Sequence, residues 1–354
     1  MPLLALIALA ATWGTHPDTA VVIVIDIILA GSVLSSVHHA EVIAAKVGEP
    51  YGSIVLAVAV TVIEVGLIVT LMISGGAEAE SLARDTVFAA VMITCTGVVG
   101  LSILTAALRR GAAVFNAEGS ATAFASVITL AALSLVLPNY TTSAHGPEFS
   151  SSQLAFAALA SVSLYALFLF VQAVRHRRLF LHVGEEGEED PQEEENPHGP
   201  PPSDRATVRS LVLLLVALVT VVGLAKTSSH AIEEGVKSIG APASAVGVVI
   251  ALLVLMPETL TAWRNARIGR VQISFNLAYG SAMASIGLTI PAIAVASIWL
   301  DGPLVLGLGS TQIVLLFLTA AVGSLTLPPG RATLQAGGVN LIIFAAFLFL
   351  AFNP

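Results

Sequence analysis

Charge is what this sequence has least of. Of its 354 residues only 11% are Asp, Glu, Lys or Arg, while 56% are hydrophobic. A soluble domain carries about a quarter charged residues. No water-soluble packing covers so much apolar surface, so lipid must be the solvent for most of the chain. Cys95 is the single cysteine, which excludes an internal disulfide and leaves the redox compartment unread. The start, Met1 to Trp13, lacks a basic segment and a small-residue cleavage site followed by a polar chain. It reads as a short first span rather than a removed signal peptide. Cys and His in tight spacing are absent, which argues against a structural zinc site. No nucleophile–base set or His-bearing metal motif lies at membrane depth, so an intramembrane enzyme is not expected. Runs such as Leu211–Val222 do not alternate, which excludes a β-barrel reading.

The net charge of −8 is a local feature. Eight acidic residues fall within Glu185–Glu195, and the rest of the chain balances fifteen acids against fifteen bases. No nucleic-acid partner follows from that pattern. Residues 184–204 are acidic and proline-rich, with no core-forming pattern, and read as a disordered cytoplasmic loop. A solvated spacer and a weak calcium sensor are both open for it.

What is present is apolar runs of membrane-spanning length, about 20 residues each. They fall near 3–13, 19–37, 53–74, 86–108, 121–139, 153–174, 207–226, 242–263, 275–299, 303–325 and 333–351. All eleven are expected as helices, because backbone polar groups in lipid must be satisfied within the segment. If the N-terminus is cytoplasmic, twelve basic residues fall on that side and only Arg84, Lys226 and Lys237 on the other. That bias predicts a cytoplasmic N-terminus and an outside C-terminus.

The halves echo each other. Gly48-Glu49-Pro50 opens an apolar run containing Glu64, and Gly240-Ala241-Pro242 opens one containing Glu258. Each glutamate lies in the second helix of a five-helix set, and repeating an odd number of helices inverts the second set. The expected architecture is an all-α membrane bundle. It has a short first span (1–18), a five-helix repeat (19–183), an acidic loop (184–206) and an inverted five-helix repeat (207–354). Secondary transporters of this build hold their ions at the repeat interface near mid-membrane.

Glu64 and Glu258 carry the chemistry. An ionisable residue inside a span costs at least about 2.5–3.5 kcal/mol on insertion scales, so it marks a functional site by default. Two matched glutamates strengthen that reading over protonated side chains that merely bond a neighbouring helix. A pair of carboxylates suits a hard divalent cation, which wants oxygen ligands. Burial and mutual repulsion favour protonated carboxylates, whereas a metal expels the protons. Competition for one pair is then enough for exchange. Asn276, Ser281 and Ser285, and Thr86 in the other half, are candidate oxygen donors, with helix packing as their alternative role. Gly280, like Gly97 and Gly100, is expected to let helices approach closely. Asp26, in the second span, is a possible proton site. His38, His39 and Glu41 read as a solvated interfacial cluster, with a pH-sensing His pair as the alternative.

These residues resemble a known family. The run from His38 to Met72, with its GEPYGS segment, and the run from Met256 to Pro291, with NLAYGS, are similar to the two signature regions of bacterial ChaA-type calcium/proton antiporters. The likeness extends over nearly the whole chain and includes the acidic loop. The wider calcium/cation antiporter superfamily couples metal efflux to proton or sodium entry through paired acids. The resemblance implies that Glu64 and Glu258 are those acids, and that Asn276, Gly280 and Ser281 belong to the second signature. Asp26 departs from the uncharged polar residue expected there.

The expected function is a secondary active transporter of the bacterial inner membrane, exchanging cytoplasmic calcium for protons. It needs no cofactor, and its partners are the ions and the lipid. A sodium or potassium/proton antiporter is the alternative within the class. A cation channel is the alternative from another class, although no filter motif is evident.

Overall fold

The computed structural model describes residues 1–15, 18–48, 51–75, 80–181, 202–238, 242, 244–299 and 303–353. Among them run eleven helical rods: α1 (Pro2–Thr12), α2 (Thr19–Val47), α3 (Tyr51–Gly75), α4 (Leu82–Arg110), α5 (Ala117–Asn139), α6 (Ser151–Arg175), α7 (Asp204–Ser238), α8 (Ser244–Arg267), α9 (Val271–Ala296), α10 (Ser310–Thr326) and α11 (Leu334–Phe352). Eight are long and apolar enough to cross a bilayer; the apolar stretches Pro2–Thr12, Val58–Ile73 and Ser310–Thr326 are shorter. Each rod covers one apolar run. Residues 184–201 of the acidic segment, with Glu49, Pro50, Gly240 and Ala241, lie outside the described residues, while Asp204, expected in that loop, opens α7.

Two rods outrun their apolar cores. α2 continues ten residues past the expected end, through His38, His39 and Glu41, until Gly48 adopts φ 76°. A left-handed glycine there stops the helix without a Cβ penalty. α7 likewise runs on to Ser238. Hydropathy marks the edge of the hydrocarbon, whereas the backbone hydrogen-bond ladder continues until a residue breaks it.

Contacts between distant connections fix how the rods alternate. The segment after α4 and the segment after α10 pair as β1 (Ala113–Val114) and β2 (Arg331–Ala332), antiparallel, with Ala113 opposite Ala332 and Val114 opposite Arg331. Arg110 Nη2 donates to the Ile268 carbonyl at 2.8 Å, joining the ends of α4 and α8. Lys46 Nζ meets Asp204 Oδ1 at 2.7 Å, joining the end of α2 to the start of α7. At the other ends, Glu148 bridges Val305, and Arg84 Nη1 donates to the Gly307 carbonyl at 3.2 Å. Among the described residues, these contacts join even-numbered connections to even and odd to odd. That is what ten successive crossings from α2 to α11 require.

Helix pairing follows small residues, as it must where lipid removes the hydrophobic drive between helices. α4 crosses α11 where Gly100 faces Asn340 and Leu341, and Gly337 faces Leu104. A Cβ on Gly337 would stand 2.7 Å from the Leu104 backbone nitrogen, whereas one on Gly338 would meet nothing within 4 Å. Gly337→Val should therefore destabilise the fold by about 2 kcal/mol through overpacking against backbone. Gly338→Val should be close to neutral. Thermal unfolding in detergent checks the contrast, and equal midpoints for the two variants would contradict the crossing.

The core divides into two apolar clusters. The larger gathers α4, α5, α6, α8, α9 and α11 around Phe88, Met92, Phe275, Tyr279 and Met283. The smaller joins α1, α2, α3, α7 and the first half of α8 around Ile25, Ile63, Leu67 and Leu224. Along α2 and α7 a polar seam runs beside the apolar contacts. Ser32 meets Thr220 (3.4 Å), His39 Nδ1 meets Ser210 (3.3 Å), and Lys46 meets Asp204. The partner numbers fall as the α2 numbers rise, so these helices are antiparallel.

Candidate ion-binding site

Glu64 and Glu258 lie on two helices, α3 and α8, that pack together at the junction of the two clusters. Glu64 lies midway along α3, only 5% exposed. Ser285 Oγ of α9 donates to Glu64 Oε1 at 2.6 Å, across 221 residues of sequence. α3 is held at this depth by Ile63, Leu67 and Ile68, all buried, and by Gly66, where a Cβ would press within 2.7 Å of Val222.

Glu258 follows Pro257 inside α8. Proline has no N–H, so the Leu253 carbonyl loses its usual helical donor one turn earlier. The Glu258 side chain is 9% exposed, and its Oε2 is buried without a hydrogen-bond partner. Leaving a buried acceptor unmade costs about 1–3 kcal/mol, and more for a charged group. Glu64 and Glu41 both lie close enough to act on the charge of Glu258. Sequence reading put Glu41 in a solvated cluster and gave no sign of this proximity, which arises because α2 stays helical past its apolar run and packs beside α8.

The supporting residues scatter. Ser285 is at the pair, and Ser281 follows the same face of α9 one turn earlier, half-buried. Gly280 stands in open space, with nothing within 4 Å of a built Cβ. The expectation of a close helix contact there is corrected: Gly97 and Gly100 make such contacts with α11, and Gly280 does not.

Asn276 lies nine residues before Ser285, roughly 13 Å along the axis. Both ends of its amide are occupied. Its Nδ2 donates to the Phe180 carbonyl at 2.6 Å, and its Oδ1 accepts from Gln272 Nε2 at 2.8 Å. Gln272 Oε1 in turn accepts from the Asn116 backbone N–H at 2.7 Å. This network ties the starts of α9 and α5 to the segment after α6. Its signal in the sequence was the pair Gln272 and Asn276, four residues apart on one helix face.

Thr86 is in the first turns of α4, where its hydroxyl donates to the Leu82 carbonyl at 2.8 Å. Gly247 of α8 packs on its backbone, and Gly247 is eleven residues, roughly 16 Å, from Glu258. Asp26 is also distant. It is half-buried on α2 beside Ser228 of α7, and its Oδ1 is buried without a partner by hydrogen-bond geometry.

Two features escaped sequence reading. The first is a π-helical stretch in α4, Ile93–Val98, wholly buried. Thr94 donates back to the Ala90 and Val91 carbonyls, and Thr96 to that of Met92. Single π-turns inside α-helices recur at functional sites, and this one packs against both α8 and α9. The second is a charged knot at the start of α4. Asp85, 2% exposed, accepts from Arg84 Nε (2.9 Å), Ser81 Oγ (2.9 Å) and Gln312 Nε2 (3.1 Å). Asp85 is fully bonded there, and the knot fastens α4 to the start of α10.

Among the described residues no three His, Cys, Asp or Glu side chains gather closely enough to hold a metal ion. A cation at the Glu64–Glu258 pair would draw its remaining ligands from hydroxyls, backbone carbonyls and water, all of which calcium accepts.

Comparison with known proteins places the chain in a family. The chain matches the sodium/calcium exchanger protein family over residues 18–174 and 209–353. It is 45% identical to the y4hA protein of Sinorhizobium fredii, an ionic transporter by name, over 92% of this chain and 87% of that one. It is 32% identical to the sodium-potassium/proton antiporter ChaA of Escherichia coli, over 99% of this chain and 94% of that one. Its fold is that of native YfkE, with a TM-score of 0.72 at 16% identity, covering 100% of this chain and 97% of that one. It is likewise that of the H+/Ca2+ exchanger CAX, with a TM-score of 0.66 at 19% identity, covering 99% and 90%. The chain belongs to the sodium/calcium exchanger protein family.

Proposed function

We propose that this protein exchanges cytoplasmic calcium for protons across the bacterial inner membrane, with its N-terminus cytoplasmic and its C-terminus outside. The observation that carries the reading is the buried pair. Glu64 is held by Ser285, while Glu258, on the helix packed against α3, has an oxygen left without a partner. Two carboxylates with hydroxyls nearby can bind a divalent ion when ionised and protons when empty. The empty charged pair is the species disfavoured in low dielectric. Binding one cargo or the other is then the condition for moving the site from one side to the other. The two halves act as inverted five-helix repeats about this pair, 19–183 and 207–354, joined by the acidic loop.

A second reading is sodium or potassium/proton antiport. The likeness to the Escherichia coli antiporter, whose name carries those ions, favours it. The experiment that separates the two uses everted vesicles with an imposed proton gradient, adding calcium, sodium and potassium in turn. Calcium should collapse the gradient at the lowest concentration. A response to sodium or potassium with none to calcium would establish the second reading. Calcium flux that no opposing proton gradient can drive uphill would indicate a channel.

A further inference from the structure

Beyond the paired glutamates, α2 brings a third carboxylate to the approach. Ala40 is fully buried and packs with Ala59 of α3 and Leu214 of α7. Ala59 precedes Glu64 by five residues, so this contact lies roughly 7.5 Å along the axis from the glutamate pair. It lies toward the end of α2 where Lys46 and Asp204 meet, the cytoplasmic side in the present reading. The next residue, Glu41, is exposed, and α2 packs beside α8.

No ion pair among the described residues neutralises Glu41. Lys46 is taken by Asp204 at 2.7 Å. His38 and His39 precede it on α2; His39 is bonded to Ser210 and lies near Arg209 of α7. Among the described residues Glu41 has no ion-pair partner. A negative charge in water needs none, but this one stands on the helix that packs beside α8, which bears the buried carboxylate of Glu258. Alone, it makes the ionised Glu258 harder to hold. With a cation on its way in, the sign reverses, and the two carboxylates attract the same ion in succession.

We infer that Glu41 is a positioning residue for the cytoplasmic approach. It gathers a hydrated divalent cation from the bath and delivers it to Glu258 and Glu64. Because Coulomb attraction scales with the ion's charge, it also biases entry toward divalent over monovalent ions. This inference rests on the exchange reading given above.

The test is calcium-dependent proton release in everted vesicles, where the cytoplasmic face meets the bath. Glu41→Gln should raise the calcium KM about tenfold and leave kcat within about twofold. Glu41→Asp should recover most of the loss. Raising salt from about 20 to about 300 mM should narrow the gap between Glu41→Gln and wild type, since the Debye length shrinks severalfold. A Glu41→Gln KM within a factor of about two of wild type overturns the inference. So does a rise that salt does not narrow and Glu41→Asp does not restore, which is local damage. Wild type assayed alongside separates the two readings. If it carries sodium or potassium and not calcium, calcium exchange fails as the function. Glu41 is then judged on the ion carried, where a single charge halves the logarithmic shift to about threefold. No shift for that ion overturns it.

Discussion

Glu64→Gln and Glu258→Gln should each lower cation-coupled proton exchange by at least about a hundredfold, the effect of losing roughly 3 kcal/mol of ligand interaction. Both variants should remain folded and inserted. Glutamine keeps the volume and can still accept the Ser285 hydroxyl at position 64, but it cannot ionise. At position 258 it replaces a carboxylate whose buried oxygen has no partner, so little bonding is lost there on substitution. Proton flux in vesicles, with protein amount and thermal midpoint measured alongside, decides the matter. Near-normal exchange in either variant would remove that residue from the site.

Calcium affinity should fall as pH falls. Calcium requires both carboxylates ionised, so every proton they hold must leave when it binds. The pair titrates as a unit, not as two independent residues. Lowering pH loads it with protons and weakens calcium; raising pH empties it and strengthens calcium until no proton remains to displace. Where two protons leave per calcium, log affinity rises by two per pH unit, which is about a hundredfold. One released proton gives a slope of one. Calcium binding to purified protein from about pH 5 to about pH 9, with Glu64→Gln as the control, measures the slope. A flat line across that range would sink a shared site, even in a protein that moves calcium.

The two acids were legible because lipid makes a single ionisable residue conspicuous: Glu64 has apolar neighbours for two turns on either side. The eleven rods were legible for a related reason, since the bilayer sets one length for all of them. What hydropathy could not give was which rods meet. Lipid and leucine are equally apolar, so the pairing of α3 with α9 that places Ser285 on Glu64 depends on packing detail. The same blindness hid the approach of Glu41 to Glu258. Thr86 reads in the sequence as a candidate donor at the start of a span expected near 86–108. Since α4 begins only at Leu82, that position falls near a helix end. Asn276 looked like a ligand because it is large and polar within an apolar helix, and its amide is spent on the Phe180 carbonyl and Gln272. Polarity signals that a partner exists, and says nothing of whether the partner is an ion or another part of the chain.

The close contacts that fasten α4 set a timetable for biogenesis. Arg110 closes on Ile268 across 158 residues, and Arg84 on Gly307 across 223. At a synthesis rate of about 5–20 residues per second, α4 waits roughly 10–45 seconds for the second of these partners. For most of that interval its buried face, with Asp85 and the threonines of the π-turn, lacks α8, and α11 comes later still. The nascent first half must therefore be sheltered by something other than its own sequence, such as the insertion machinery. Slowing translation between the halves should lengthen the window in which a protease cuts the chain.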